Sequence, residues 1–207
     1  MRQSQPGRVE GATAIGRAAS WSPPIRNVAL GYGGVLDAQV PGSRVDFPQG
    51  YEGFVAVALA ESRLLRQESL PVDPAAAEAV QVLAGLGLGV LVASNTLPGQ
   101  SREQQLAAAG VDELLDAVVE SEHIGVAKPD RVFFDMVVAA AGGCVAAEVC
   151  YVGHRVETDI GPAVAAGMRA VLVTPSAPTL QIPASVPVIG HVAELPGLFA
   201  RAAGRAR

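Results

Sequence analysis

From Arg26 onward, short runs of aliphatic and β-branched residues alternate with alanine-rich stretches of helical period, and this rhythm admits few folds. The runs are Asn27 to Leu30, Val90 to Ala93, Ala117 to Val119, Val149 to Val152, Ala170 to Val173 and Val186 to Ile189. Each is almost wholly apolar, as a strand must be when helices cover both of its faces. The expectation is an α/β fold on a parallel sheet. Between the runs, Asp73 and Pro74 supply an N-cap and a first helical residue, with Val80, Leu83 and Leu86 as the helical stripe. A second helix is expected to open at Pro129, with Val132, Phe133, Met136, Val137 and Ala140 on one face and Gly142 and Gly143 as its stop.

Residues 39–72 break the rhythm with Pro41, Gly42, Pro48 and Gly50, followed by a helical stretch from Tyr51 that is apolar at Phe54, Val55, Ala58 and Leu59. The organisation expected is a flexible tail over 1–25, a core domain from 26–38 and 73–203, a reduced helical insert over 39–72 and a short tail over 204–207. Ligands of open α/β sheets bind beyond the carboxyl ends of the strands, so an insert leaving the first strand overhangs that site. Trp21 is read as packing on its own domain. The apolar face around Phe54 and Leu59 suggests a homodimer contact.

Half of the 207 residues are apolar, enough for a full core. Charged residues make up only 17% and the net charge is −5, so no broad basic surface exists for nucleic acid. Val82 to Ala93 and Met136 to Ala147 are the longest stretches free of both charge and strong polarity, well below the roughly 20 residues of a membrane span. Cys144 and Cys150 match no zinc spacing and read as small hydrophobes. With no apolar signal core in the first 25 residues, the expected location is the cytoplasm.

The expected strand ends carry Gly31, Tyr32, Gly33 and Gly34; Ser94 with Asn95; Lys128 in VAKPDRVFF; and Gly153, His154 and Asp159 in YVGHRVETDIGPAVAAGM. Singly these are ordinary: a loop serine, a surface lysine, an N-capping aspartate. In this order the series resembles the haloacid dehalogenase-like superfamily, mostly phosphohydrolases on a Rossmann-like three-layer fold. Gly34, Val35 and Leu36 match the end of that family's Asp-x-Asp-Gly-(Thr/Val)-Leu turn, Ser94 its second motif, Lys128, Pro129 and Asp130 its third, Gly153 and Asp159 parts of its fourth. The segments from Ala109 to Gly142 and from Val188 to Arg201 also look like the family, so the resemblance spans about residues 26–203.

The departures fall on the chemistry that the resemblance implies. Gly31 stands where the family has its nucleophilic aspartate, Gly33 where the phosphatases have their acid/base, and His154 where they have a magnesium ligand. Carboxylate catalysis needs a carboxylate, and deleting a hydrolase nucleophile costs about a million-fold in rate. Asp37, six residues beyond Gly31, is expected past the turn. Magnesium prefers hard oxygens, whereas an imidazole suits zinc or copper, so no metal cofactor is expected at His154 and Asp159.

The remaining groups, namely Ser94, Asn95, Lys128 and the backbone of Tyr32, Gly33 and Gly34, form a candidate anion cradle. The lysine's family partner is missing, and an unpaired buried ammonium costs about 3–5 kcal/mol, so a bound anion, a depressed pKa or water is expected there. The resulting expectation is a pseudoenzyme that binds a phosphorylated or otherwise anionic small molecule, or a protein partner, without turnover. A hydrolase with a non-standard nucleophile and a scaffold whose pocket is filled by Tyr32 and His154 are the alternatives. A nucleotide site is disfavoured because Leu36 takes the third glycine position of G-x-G-x-x-G.

Overall fold

The computed structural model describes residues 21–37, 70–175 and 182–203, the last three without their side chains. Most of the expected insert, with Phe54 and Leu59, lies outside the described residues, as do 1–20 and 204–207.

Among the described residues six strands form one parallel sheet: β1 Asn27–Gly31, β2 Gly89–Ser94, β3 Ala117–Glu120, β4 Val149–Gly153, β5 Arg169–Val173 and β6 Val188–Ile189. Their spatial order is β3-β2-β1-β4-β5-β6. The first five agree with the apolar runs within a residue at either end. β6 is shorter than expected, because Val186 is held in a turn by its N–H bond to the Pro183 carbonyl, and pairing with β5 begins at the Pro187 carbonyl, which accepts from Leu172 N–H at 2.9 Å.

The helices are α1 Pro74–Gly85, α2 Glu103–Ala108, α3 Ser121–Ile124, α4 Arg131–Ala140, α5 Gly161–Ala165 and α6 Leu195–Ala203. A π-helical turn, Val156–Ile160, leads into α5. Asp73 caps α1 as expected, accepting from the Ala75 and Ala76 amides at 2.8 and 3.2 Å. α4 starts two residues later than expected, with Asp130 as its cap.

Three layers follow from the pleat. Val28 and Leu30, Val90 and Val92, Cys150 and Val152 point to one face, against Val80 and Leu83 of α1 and Leu195 and Leu198 of α6. Ala29, Leu91, Val149 and Tyr151 point to the other, against Phe133, Phe134 and Val137 of α4 and Ala163 of α5. This double covering is why the strands carry almost no polar residues. On α4 the expected face is displaced: Phe133, Phe134, Val137 and the following Ala141 are buried, whereas Val132 and Met136 are 49% and 43% exposed. The apolar stripe is wider than the contact, and the contact is centred on its aromatic edge. Trp21 packs on the domain as expected, its ring 5.1 Å from that of Phe199.

Chain order reverses beside β1: β2 and β3 build outward on one side, β4 to β6 on the other. The carboxyl ends of β1 and β4 therefore flank the switch point, where α/β sheets hold their ligands. Asp37 and Val72 pair there as a single antiparallel bridge, and Asp73 N–H donates to the Leu36 carbonyl at 2.8 Å. Residues 37 and 72 thus lie side by side where the chain leaves β1.

Candidate active site at the strand ends

The turn after β1 closes on one carbonyl. The amides of Val35, Leu36 and Asp37 donate to Tyr32 O at 3.2, 2.8 and 3.2 Å. The Tyr32 ring is buried, and its hydroxyl donates to the Leu70 carbonyl at 2.6 Å. Burial pushes its pKa up to about 12, against the opposing charge of Arg102. Tyr32 therefore contributes backbone to the site, and its side chain to the core.

Gly34 is the glycine this turn requires: its φ is +71°, and a Cβ would fall 2.5 Å from Cγ of His154, whose ring lies against it. Gly31 and Gly33 are different. Neither has a positive φ. A Cβ on Gly31 would meet Val152 O at 3.2 Å and Val35 Cγ2 at 3.4 Å, and one on Gly33 only Asp37 Oδ2 at 3.9 Å. The backbone conformation admits side chains at both positions; Gly33 has the space for one, while at Gly31 the Val152 carbonyl would have to give by a few tenths of an ångström.

Ser94 ends β2, buried. Its hydroxyl donates to Asn95 O and accepts from Arg102 Nε, both at 3.2 Å. The Asn95 side chain clasps the backbone of Lys128, donating to its carbonyl at 3.1 Å and accepting from its amide at 2.9 Å. This clasp fixes the segment that opens α4 and directs the lysine inward, where Nζ lies 5.6 Å from the Tyr151 ring centroid and 6.0 Å from that of Phe133.

The ammonium is not unpaired, contrary to the sequence expectation. Lys128 Nζ donates to Asp159 Oδ1 at 2.8 Å, with side-chain exposures of 10% and 2%. Asp159 is no N-cap either: the π-helical turn tucks it against Gly153, where a Cβ would overlap it, and its Oδ2 accepts from the amides of His154 and Arg155 at 3.1 and 3.0 Å. For Lys128, burial opposes the charge, but Asp159 outweighs it and the pKa is raised. For Asp159, burial is likewise outweighed, chiefly by Lys128, and the pKa is lowered. Both remain ionised. His154 is held below the usual imidazole range, by burial first and by the Lys128 and Arg155 charges, against the pull of Asp159. Its Nε2 accepts from Arg155 Nε at 3.2 Å, as a neutral ring does.

This donor set does not suit magnesium. Gly31 and Gly33 offer no side-chain oxygen, His154 offers nitrogen, and both Asp159 oxygens already accept hydrogen bonds. Among the described residues no group of three or more His, Cys, Asp and Glu side chains is placed to hold a metal ion.

Two functional candidates escaped the sequence reading. Asp37 lies just past the turn, as expected, in the bridge to Val72, but its side chain folds back: Oδ1 accepts from Gly34 N at 2.7 Å, bringing a carboxylate beside Gly33. Burial raises its pKa, with Gly34 N–H and Arg102 acting the other way. Arg102 is the second. Its guanidinium carbon sits 4.5 Å from the Tyr32 ring centroid, its backbone amide donates to the buried Glu120 carboxylate at 2.7 Å, and burial lowers its pKa. A signal existed, since Arg102 is the only Lys or Arg between Arg66 and Lys128.

A surface pocket of about 320 Å³, lined by Pro129, Arg131, Glu157, Gly161, Pro162 and Ala165, opens beside α4 and α5. None of the candidate anion contacts lines it. No helix among the described residues is long and apolar enough to cross a membrane.

The chain is similar to several known proteins. The profile of the haloacid dehalogenase-like hydrolases matches residues 41–167, more than half of the chain, beginning after the Gly31 to Leu36 turn and including Ser94, Lys128 and Asp159. A glyceraldehyde 3-phosphate phosphatase of Methanocaldococcus jannaschii is 37% identical over 84 residues, 41% of this chain and 35% of that protein, so the chain spans about a third of its curated relative. Among solved structures, an uncharacterized protein from Listeria monocytogenes serotype 4b aligns over 87% of this chain and 99% of its own at 22% identity, with a TM-score of 0.63. The L-2-haloacid dehalogenase of Xanthobacter autotrophicus with chloropropionic acid covalently bound aligns over 85% and 98% at 18% identity, with a TM-score of 0.62. Structural likeness at these identities speaks for the fold, and the profile match for the family: the chain belongs to the haloacid dehalogenase-like hydrolases.

Proposed function

We propose that this chain is a pseudoenzyme of its family, holding a phosphorylated or otherwise anionic small molecule at the β1 and β4 strand ends without covalent turnover. One observation carries the reading: positions 31 and 33 both have a backbone conformation open to any residue, and position 33 also has room for a side chain, yet both are glycine. Local conformation therefore does not account for the missing carboxylates, and a phosphoryl or alkyl group has no acceptor at position 31. The phosphate on the substrate of the archaeal relative supports a phosphorylated ligand. A protein partner remains the other class of ligand for the same surface, and a cytoplasmic location accords with the free thiols Cys144 and Cys150.

The test is direct. Purified chain is assayed against a generic phosphate ester with and without magnesium, and its binding of inorganic phosphate is measured in parallel. Binding without hydrolysis supports the reading; magnesium-dependent hydrolysis lost in Lys128→Ala ends it.

Asp37 favours a second reading, that of a hydrolase with a non-standard nucleophile, because it brings a carboxylate beside Gly33. Incubation with acetyl phosphate followed by mass spectrometry distinguishes the two: an acyl-phosphate adduct on Asp37, absent in Asp37→Asn, supports the second.

A further inference from the structure

A carboxylate of this chain already stands where an incoming anion is to be held. Asp37 Oδ1 takes the Gly34 amide at 2.7 Å, and Oδ2 lies 3.9 Å from where a Cβ on Gly33 would sit. The nearby cation acting on it is Arg102. That guanidinium stacks on the Tyr32 ring and reaches Ser94 Oγ through Nε, so it is oriented toward the serine that the family motif places at the site. Lys128, by contrast, is bound to Asp159 in a pair almost closed to solvent.

We propose that Arg102 and the backbone of Gly33 and Gly34 form the anion-reading end of the site, and that the Asp37 carboxylate is its built-in occupant, displaced by a dianionic oxyanion such as a phosphate monoester in preference to a monocarboxylate. The inference rests on the anion-binding reading above and names the residues that would execute it.

Binding at this turn is an exchange. On ligand entry, the Gly34 N–H exchanges the Asp37 carboxylate for the ligand's oxyanion, and the Arg102 charge that acts on Asp37 acts on the ligand instead. A monocarboxylate repeats the contacts Asp37 already makes, while losing the translational freedom that Asp37, being part of the chain, has already given up. A dianion adds a second charge opposite Arg102 and a tetrahedral set of oxygens that the planar fork engages in two directions. The occupant is well tethered: Asp37 donates its own amide to Tyr32 O and pairs with Val72, so only its side chain has to rotate. An intramolecular competitor acts at an effective concentration on the order of millimolar, which sets a threshold for any ligand.

Binding of inorganic phosphate and of acetate to the full chain is measured calorimetrically near neutral pH for wild type, Asp37→Asn, Arg102→Met, Arg102→Lys and, as a control for net charge alone, the exposed Asp112→Asn. Asn at 37 keeps an oxygen acceptor for Gly34 N–H and so preserves the turn. Expected are phosphate binding about tenfold tighter in Asp37→Asn, as for a removed competitor of ordinary coupling strength, no change in Asp112→Asn, weaker acetate binding throughout, and phosphate binding lost in Arg102→Met. Arg102→Lys, which keeps the charge and loses the fork, is expected to fall between. Phosphate binding that is unchanged or weaker in Asp37→Asn overturns the proposal, as does binding that survives in a folded Arg102→Met. If wild type binds phosphate and Lys128→Met abolishes binding while Arg102→Met does not, the anion reading stands and this inference falls. If neither wild type nor Asp37→Asn binds phosphate, both fall.

Discussion

Lys128 and Asp159, thirty-one residues apart, meet across the carboxyl end of β4 at 2.8 Å, and the backbone amides of His154 and Arg155 complete the carboxylate's shell. The lysine that the family resemblance would pair with a nucleophile is here balanced by Asp159. Removing one partner leaves a buried charge with no counter-ion. Asp159→Ala and Lys128→Met are each expected to cost about 3–5 kcal/mol in urea unfolding, and the double variant less than their sum.

Acid should unfold the protein in two stages. His154 lies below its ordinary 6.5 in the folded chain, so from about that pH downward the unfolded state takes up the proton first and stability falls. Asp159 lies below 3.8, so its contribution is present above that value and is lost as pH falls through its lower folded pKa. Lys128 is raised above 10.5, and its share is lost only in strong alkali. The urea midpoint followed from pH 7 to about 2 is expected to show the upper stage and the onset of the lower one below 3.8, with the upper one missing in His154→Gln. Asp37 has the opposite sign, being raised, so Asp37→Asn should leave neutral-pH stability unchanged or slightly higher.

Gly34 is constrained twice. Gly34→Ala carries the left-handed penalty of roughly 1–2 kcal/mol and a collision with the His154 ring. Thermal melts of Gly34→Ala and of Gly34→Ala with His154→Ala should differ, the second returning toward the conformational penalty alone.

Asn95 holds the Lys128 backbone by two hydrogen bonds. Asn95→Ala is expected to lose about 1–3 kcal/mol and to release Lys128 from its pair, seen as a lysine amine resonance that moves toward its free-peptide position. Asn95→Asp, which keeps only the acceptor, should lose less.

The sheet was legible because strands buried on both faces leave an unbroken apolar trace, as Val90 to Ala93 and Val149 to Val152 do between helical stretches. The buried face of α4 was less so: Val132 and Met136 belong to the same apolar stripe as Phe133 and Val137, and only packing decides which part touches the sheet. Ser94, Lys128, His154 and Asp159 were legible as a set from their motif order. Their pairing was not, because a salt bridge between residues 128 and 159 depends on the π-helical turn that swings Asp159 inward. Asp37 was missed for a related reason. Counting residues along a chain gives contour length, and a side chain that folds back on its own turn defeats it.

Asp37 and Val72 sit shoulder to shoulder. Whatever sequence is spliced between them departs from and rejoins the molecule through a single doorway, leaving the strand order untouched. Lengthening such an excursion is thermodynamically mild, about 0.6 kcal/mol for each doubling, so this junction is the natural place to graft a foreign module, and anything grafted there would arrive beside the Gly33 turn.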